Sequence, residues 1–138
     1  MARLLAAGER LYPPELAEQY RAAGLWSERT TGAEIRAIAQ QFPDRVAVAS
    51  LSAQLTYAEL DEQTDRFAAA LLDLGLEPQD PVVFQMGNEL ETVVAWYGTL
   101  KAGLVPIASL PNHGAYEIGH IADFTGARAH IVQADYRT

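Results

Sequence analysis

The chain has 138 residues, of which 49% are hydrophobic and 20% are charged, so its length and composition are those of one folded domain. Its net charge of −8 comes from 18 acidic and 10 basic residues scattered along the sequence, and this argues against non-specific nucleic-acid binding, which needs a basic face. The absence of cysteine excludes a disulfide framework, a thiolate zinc site and a cysteine nucleophile.

The N-terminal residues predict neither a leader nor a membrane helix. The apolar stretch before Gly8 is too short for a secretory signal. The longest apolar run, 92–100, is about half the ~20 residues that a membrane helix requires. We therefore expect a cytoplasmic protein with no membrane span.

The first predicted elements are an N-terminal arm and a helix. Residues 1–30 are interpreted as an arm that packs onto the body, with a helix over 14–23, because proline is tolerated in a first helical turn. Thr31 and Glu34 have the spacing of a capping box, which predicts that a second helix begins at Thr31. The predicted apolar stripe of this helix comprises Ile35, Ile38, Ala39 and Phe42.

A hairpin and a long helix follow. Two short strands, 46–51 and 54–55, are predicted to pair antiparallel. Thr56 and Glu59 form a second capping box, so the start of the next helix is well defined. Gly75 supplies the left-handed residue that ends it. The predicted apolar face of this helix comprises Leu60, Phe67, Leu71 and Leu74.

From residue 81 onward, short and continuously apolar runs alternate with helical segments. The predicted strands are 82–86, 104–108 and 129–132, and the predicted helices are 88–102 and 114–125. Such a pattern predicts a parallel sheet that is covered by helices on both faces and has right-handed crossovers. The predicted fold class is α/β, with a small antiparallel hairpin and with 31–138 as an incomplete α/β subdomain.

One glycine pair has the spacing of a phosphate-binding loop. Gly98 and Gly103 match that spacing, but Leu104 and Val105 stand where the loop needs lysine and serine or threonine. We therefore interpret Gly103 as a helix cap.

The three histidines, His113, His120 and His130, lack the spacing of a zinc site. Glu117 and Asp123 lie three positions before and after His120 on one predicted helix, and a solvated helix face is favoured over a metal or proton-transfer role. His113 follows a strand's carboxyl end, where open α/β sheets bind ligands, but loop structure is favoured over binding there too.

Other candidate side chains also favour structural roles. Core packing is the preferred interpretation for the aromatic residues Trp26, Tyr57, Trp96 and Tyr97. No nucleophile elbow surrounds the serines Ser50, Ser52 and Ser109. The sequence therefore assigns no catalytic, cofactor-binding or metal-binding residue.

Four short segments form a recognisable set: LTYAEL at 55–60, LGL at 74–76, KAGLVP at 101–106 and EI at 117–118. Together they resemble the N-terminal part of the adenylate-forming, or AMP-binding, ligases. Residues 20–26 and the Leu-Pro-x-His element at 110–113 resemble the branch that activates aryl acids such as 2,3-dihydroxybenzoate, and related coenzyme A ligases are also similar. Gly114 stands where that branch usually has arginine.

The resemblance implies the acyl-CoA-synthetase-like large domain and a two-step reaction. A carboxylate attacks the α-phosphate of ATP to give an acyl adenylate and pyrophosphate, and a thiol then displaces AMP. The implied cofactors are ATP and Mg²⁺, and the implied partners are a small carboxylic acid and either coenzyme A or a carrier-protein thiol.

The parts of the family that bind ATP and the acid match nothing in these residues. We therefore expect this chain by itself to be inactive and to bind none of the cofactors. We also expect it to expose an unpaired sheet edge and an apolar face, which favour self-association.

Two alternatives stay open at the level of sequence. One is another acid–CoA ligase of the same superfamily, such as a fatty-acid ligase. The other is a non-catalytic α/β module for binding or assembly. A small independent nucleotide-binding domain would need a phosphate loop that the sequence lacks.

Overall fold

The computed structural model describes residues 13–27 and 29–134, and over these residues it has an α/β fold. In chain order the elements are α1 (Pro14–Ala22), α2 (Thr31–Gln41), β1 (Val46–Ala49), β2 (Gln54–Thr56), α3 (Tyr57–Asp73), β3 (Pro81–Gln85), α4 (Leu90–Lys101), β4 (Val105–Ala108), α5 (Ala115–Thr125) and β5 (Ala129–Val132). The predicted class is confirmed, and the ends of the predicted strands and helices agree closely. None of the described helices is both long and apolar enough to cross a bilayer.

The described part of the N-terminal arm contains a helix, as predicted. None of its side chains is buried. The rings of Tyr20 and Trp26 lie 5.4 Å apart, and the guanidinium of Arg21 lies over the Trp26 ring. Local aromatic contacts therefore shape the turn that follows α1.

Helix α2 begins with a cap that differs from the predicted one. The N-cap residue is Thr30, whose hydroxyl oxygen accepts from the amide of Ala33 at 3.2 Å. Glu34 pairs instead with Arg29 at 3.5 Å, so the predicted capping box of Thr31 and Glu34 is wrong. The adjacent threonines offer two caps with the same spacing, and Arg29 gives Glu34 a partner outside the box.

Helix α3 begins and ends as predicted. The Glu59 amide donates to the Thr56 hydroxyl at 3.2 Å, and the Thr56 amide donates to the Glu59 carboxylate at 2.8 Å. These bonds from the backbone and hydroxyl of Thr56 hold the pKa of Glu59 below its usual value. At the other end Gly75 is left-handed (φ 86°), and the Leu76 amide donates back to Leu71, so the helix closes in a Schellman motif.

The apolar faces of α2 and α3 are narrower than predicted. The buried members are Ile35, Ala39, Leu60 and Leu71. Ile38 and Phe42 are 37% and 38% exposed. Leu74 is 80% exposed because it is the C-cap residue and lies beyond the last packed turn of α3. The prediction of a buried Leu74 is therefore wrong.

The main sheet is parallel, and β3 is its central strand. The strand order is β4-β3-β5, and Val82 lies opposite Pro106 of β4 and Ala129 of β5. Val82 is fully buried and forms the core together with Ala68, Leu71, Ala102 and Leu104. Helices α3 and α4 therefore cover one face of the sheet. The predicted cover on both faces holds for β3 but fails at β5, where His130 and Val132 are exposed.

Helices α3 and α4 pack closely because α4 has a glycine at their contact. A Cβ atom at Gly98 would lie 2.8 Å from the Phe67 ring and 3.0 Å from the carbonyl oxygen of Thr64. The hydroxyls of Thr64 and Thr99, both fully buried, donate to carbonyls of their own helices at 2.7 Å. The contact therefore leaves no buried hydroxyl without a partner.

We expect Gly98→Ala to lower the free energy of unfolding by about 1–3 kcal/mol, because the added methyl group would push α3 and α4 apart. The measurement is urea unfolding followed by circular dichroism. The matched control is Gly119→Ala in α5, where an added Cβ meets nothing within 4 Å. That change should stabilise the helix by about 0.5–1 kcal/mol. Equal effects of the two substitutions would contradict the prediction.

Candidate functional site

A glutamine fixes the loop that follows β4 at the carboxyl edge of the sheet. Gln85 is the last residue of β3, and its side-chain amide donates to the carbonyl oxygens of Pro111 at 3.0 Å and His113 at 2.7 Å. The Leu110 amide donates to Nδ1 of His113 at 3.3 Å. His113 is therefore part of an ordered loop, as predicted.

Two further bonds tie neighbouring loops to the same edge. The Ser109 hydroxyl donates to the Phe84 carbonyl at 2.8 Å, so Ser109 has a structural role. The Gly87 amide donates to the side-chain oxygen of Gln133 at 3.0 Å, which joins the chain after β5 to the loop after β3. Ligands of open α/β folds bind at this edge, and the loops that would face them are fixed here by side chains.

An apolar groove of about 510 Å³ lies next to these loops. It is bounded by the hairpin, by α3, by the first half of α4 and by the end of β5. Its walls are formed by Leu55, Phe67, Met86, Leu90, Val94 and Ile131. This groove was not predictable from the sequence, because its walls come from segments far apart in the chain.

A buried lysine joins three helices through an ionic cluster. The ammonium of Lys101 donates to the carboxylates of Asp61 at 2.5 Å and Asp65 at 2.8 Å, and the Lys101 side chain is only 6% exposed. Arg36 of α2 contacts the same two carboxylates, at 3.7 Å and 2.5 Å respectively. Two cations thus face two anions, and the cluster is neutral.

The cluster lowers the pKa of Asp65. Partial burial by itself raises the pKa of Asp65, but the hydrogen bonds and positive charges of Lys101 and Arg36 outweigh it. The pKa therefore lies below its ordinary value of 3.8. An ionised carboxylate already bound to two cations is a poor proton acceptor. The cluster is therefore a structural clamp among α2, α3 and α4.

The other candidate residues have structural surroundings. Glu117 accepts from the Gly114 amide at 2.9 Å, and His120 stacks on Phe124 with their rings 6.3 Å apart. Within 13–27 and 29–134, no group of three or more potential ligand side chains could hold a metal ion. Glu117, His120 and Asp123 are all exposed on α5.

The glycine pair and the serine of the hairpin also have structural roles. Gly98 is buried inside α4, and Gly103 has a φ of 76° directly after the Ala102 cap, so the helix-cap interpretation is confirmed. In the hairpin turn, Ser50 accepts from the amides of Ser52 and Ala53. No phosphate loop forms at 98–103.

The aromatic side chains are divided between core and surface. Trp96 meets the buried Phe84 edge to face at 5.3 Å, which confirms its packing role, and Tyr57 and Tyr97 are half-buried. Trp26, by contrast, is 37% exposed beside Tyr20, so core packing is wrong for that residue.

Comparisons with known proteins find one matching family and several similar sequences and structures. Residues 35–138 match the family model described as AMP-binding enzyme. The chain is 42% identical over 126 residues to the salicyl-AMP ligase / salicyl-S-ArCP synthetase of Mycobacterium tuberculosis, with 88% of this chain and 22% of that protein covered. It is 35% identical over 125 residues to the 2,3-dihydroxybenzoate-AMP ligase of Bacillus subtilis, with 91% of this chain and 23% of that protein covered.

The same relationship is seen in three dimensions. The apo structure of Mycobacterium smegmatis MbtA is similar with a TM-score of 0.85 and 40% identity, over 91% of this chain and 24% of that one. The chain therefore spans about a quarter of the length of the relatives that it matches.

We expect Lys101→Met to lower the free energy of unfolding by about 2–3 kcal/mol, because it leaves two partly buried carboxylates without their central cation. Chemical unfolding at neutral pH is the measurement. Arg66→Met is the matched control: its ion pair with Glu62 spans 3.9 Å between side chains that are both 69% exposed. The control should change stability by less than about 1 kcal/mol. A loss at Lys101 no larger than at Arg66 would show that the clamp contributes little.

The lowered pKa of Asp65 gives a second prediction. A carboxylate with a lowered folded-state pKa stabilises the fold above its unfolded pKa, and this contribution disappears as pH falls through the folded value. The stability difference between the unmodified chain and Asp65→Asn should therefore be larger at about pH 6 than at about pH 3. The exposed Asp73→Asn should show a smaller change between the two conditions. A pH-independent difference at Asp65 would contradict the assignment.

Proposed function

The chain belongs to the AMP-binding enzyme family, and from this premise we propose that it is the N-terminal part of a ligase that activates a carboxylic acid with ATP. The observation that carries the proposal is the similarity in sequence to the salicyl-AMP ligase of Mycobacterium tuberculosis and in fold to MbtA of Mycobacterium smegmatis. Salicylate and 2,3-dihydroxybenzoate are both aryl acids, so the proposed substrate is a hydroxylated benzoic acid. The reaction joins the acid's carboxylate to AMP with release of pyrophosphate, and a thiol then takes the acyl group.

The described residues do not fit ATP or Mg²⁺. The one glycine pair with the spacing of a phosphate loop is a helix and its cap, and the buried lysine is neutralised by two aspartates. No step of the reaction is therefore assigned to a residue of this chain. In this proposal the nucleotide, the metal and the acid are held by other parts of the ligase, and the 138-residue chain alone is inactive.

The contribution of this chain is a rigid α/β layer. We propose that 1–30 is an arm and that 31–138 is the first subdomain of the ligase's large domain. Support comes from the clamp among α2, α3 and α4 and from the fixed loops at the carboxyl edge of the sheet. The name of the Mycobacterium tuberculosis relative specifies a sulfur-linked product, salicyl-S-ArCP, which supports a carrier-protein thiol as the acceptor. Coenzyme A is the alternative acceptor.

ATP–pyrophosphate exchange tests the proposal. The complete product of the gene is assayed with salicylate, 2,3-dihydroxybenzoate, benzoate and a fatty acid, and the 138-residue chain is assayed in parallel. We expect exchange with a hydroxybenzoate for the complete product and none for the chain alone. Preference for the fatty acid would favour the other acid–CoA ligases. A complete product that is inactive with every acid would favour a non-catalytic module.

We propose that the 138-residue chain self-associates through α5. Tyr116 and Phe124 lie on its outer surface and are 85% and 80% exposed. Light scattering should show a mass that rises with concentration, and the double variant Tyr116→Lys, Phe124→Lys should reduce it. Leu74→Lys, at an 80% exposed leucine of the α3 C-cap, is the control. A monodisperse monomer at every concentration would refute self-association.

A further inference from the structure

The apolar groove at the carboxyl ends of β3 and β5 has the size of a small-molecule site. Its volume of about 510 Å³ lies within the range of about 300–1,000 Å³ that such sites occupy. Met86 directly follows β3 and Val132 ends β5, so the groove lies on the side of the sheet where α/β folds bind ligands. Gln85 and Gln133 fix the loops next to it, so its floor is ordered before anything binds.

The walls favour an aromatic group. Phe67 of α3 and Met86 line the groove together with Leu90 and Val94 of α4. Phenylalanine packs well against another ring, and a methionine sulfur makes favourable contacts with ring edges.

The lining of the groove carries negative charge only. Among its lining residues Glu91 alone is charged, and the other polar ones, Gln54 and Gln63, are neutral. Glu91 is exposed in the first turn of α4, and the whole chain carries a net charge of −8. A ligand with a carboxylate or a phosphate would bring a second negative charge beside this carboxylate, and no cationic side chain lines the groove to offset it.

We propose that this groove binds a small aromatic molecule that carries a positively charged amino group. The ring lies against Phe67 and Met86, and the ammonium pairs with the carboxylate of Glu91. Such a ligand differs in charge from both the acid and the nucleotide of the proposed reaction. The site is therefore separate from the proposed chemistry, and its test is independent of the ligase assay.

Two matched probes test the charge preference. 2-Phenylethylamine and 3-phenylpropanoate share a ring and a two-carbon spacer but differ in the sign of their charge. In NMR titrations of the ¹⁵N-labelled chain, the amine should give saturable shifts at groove residues such as Phe67 and Val94. The carboxylate should bind at least about fivefold more weakly, because it faces Glu91.

Substitutions at the groove test the contributions of its charge and its shape to binding separately. Glu91→Gln keeps the shape and removes the charge, so the two probes should then bind within about twofold of each other. Val94→Phe fills the groove and should weaken binding of the amine at least about tenfold, with circular dichroism confirming the fold. Glu89→Gln changes an exposed acid two residues away that does not line the groove, and it should leave binding unchanged.

Three results would overturn the proposal. The first is the absence of saturable shifts with the amine in the unmodified chain. The second is equal binding of the amine and the carboxylate while Glu91 is present. The third is concentration-dependent self-association that Val94→Phe abolishes, because the groove would then be an interface between copies of the chain.

Discussion

The contact between α3 and α4 determines how the other elements are placed. At its apolar end Gly98 lets α4 approach Phe67, and one turn further along Lys101 reaches the carboxylate of Asp65. Arg36 brings α2 to the same carboxylate, so three helices meet at one neutral ionic cluster. The core residues of β3 pack beneath these helices. A single helix pair thus combines steric fit and charge pairing, and a substitution at either end disturbs the layer that covers the sheet.

The carboxyl edge of the sheet is held together differently. Its loops are fixed by hydrogen bonds to the side chains of Gln85 and Gln133, and beside them lies an open apolar groove with one charged lining residue, Glu91. The chain therefore has a rigid helical side and an accessible edge. That division suits the proposed place of the chain within a larger ligase, in which a stable layer supports loops and surfaces that face other segments.

Much of the fold was predictable because its signals are local. The capping box of Thr56 and Glu59, the left-handed Gly75 and the short apolar strands each lie within a few residues. The choice of Thr30 over its neighbour as a cap was not predictable, because it depends on where an arginine side chain lies. The ionic cluster around Lys101 and the apolar groove were missed for the same reason: their members come from separate helices and strands, and no sequence spacing connects them. The family resemblance was carried by local motifs and is confirmed by the family match over 35–138.

The proline in β4 makes the two edges of the sheet unequal. The Val105 amide donates toward β3, to the carbonyl of Asp80 at 3.0 Å, and successive residues of a strand point their amides to opposite sides. Pro106 therefore lies where the outer side of β4 would present an amide hydrogen, and proline has none. Strand β5 contains no proline, so a further strand would find a better hydrogen-bonding partner there. Addition of a strand is thus favoured at β5 over β4, and this preference is set by the residue that follows Val105.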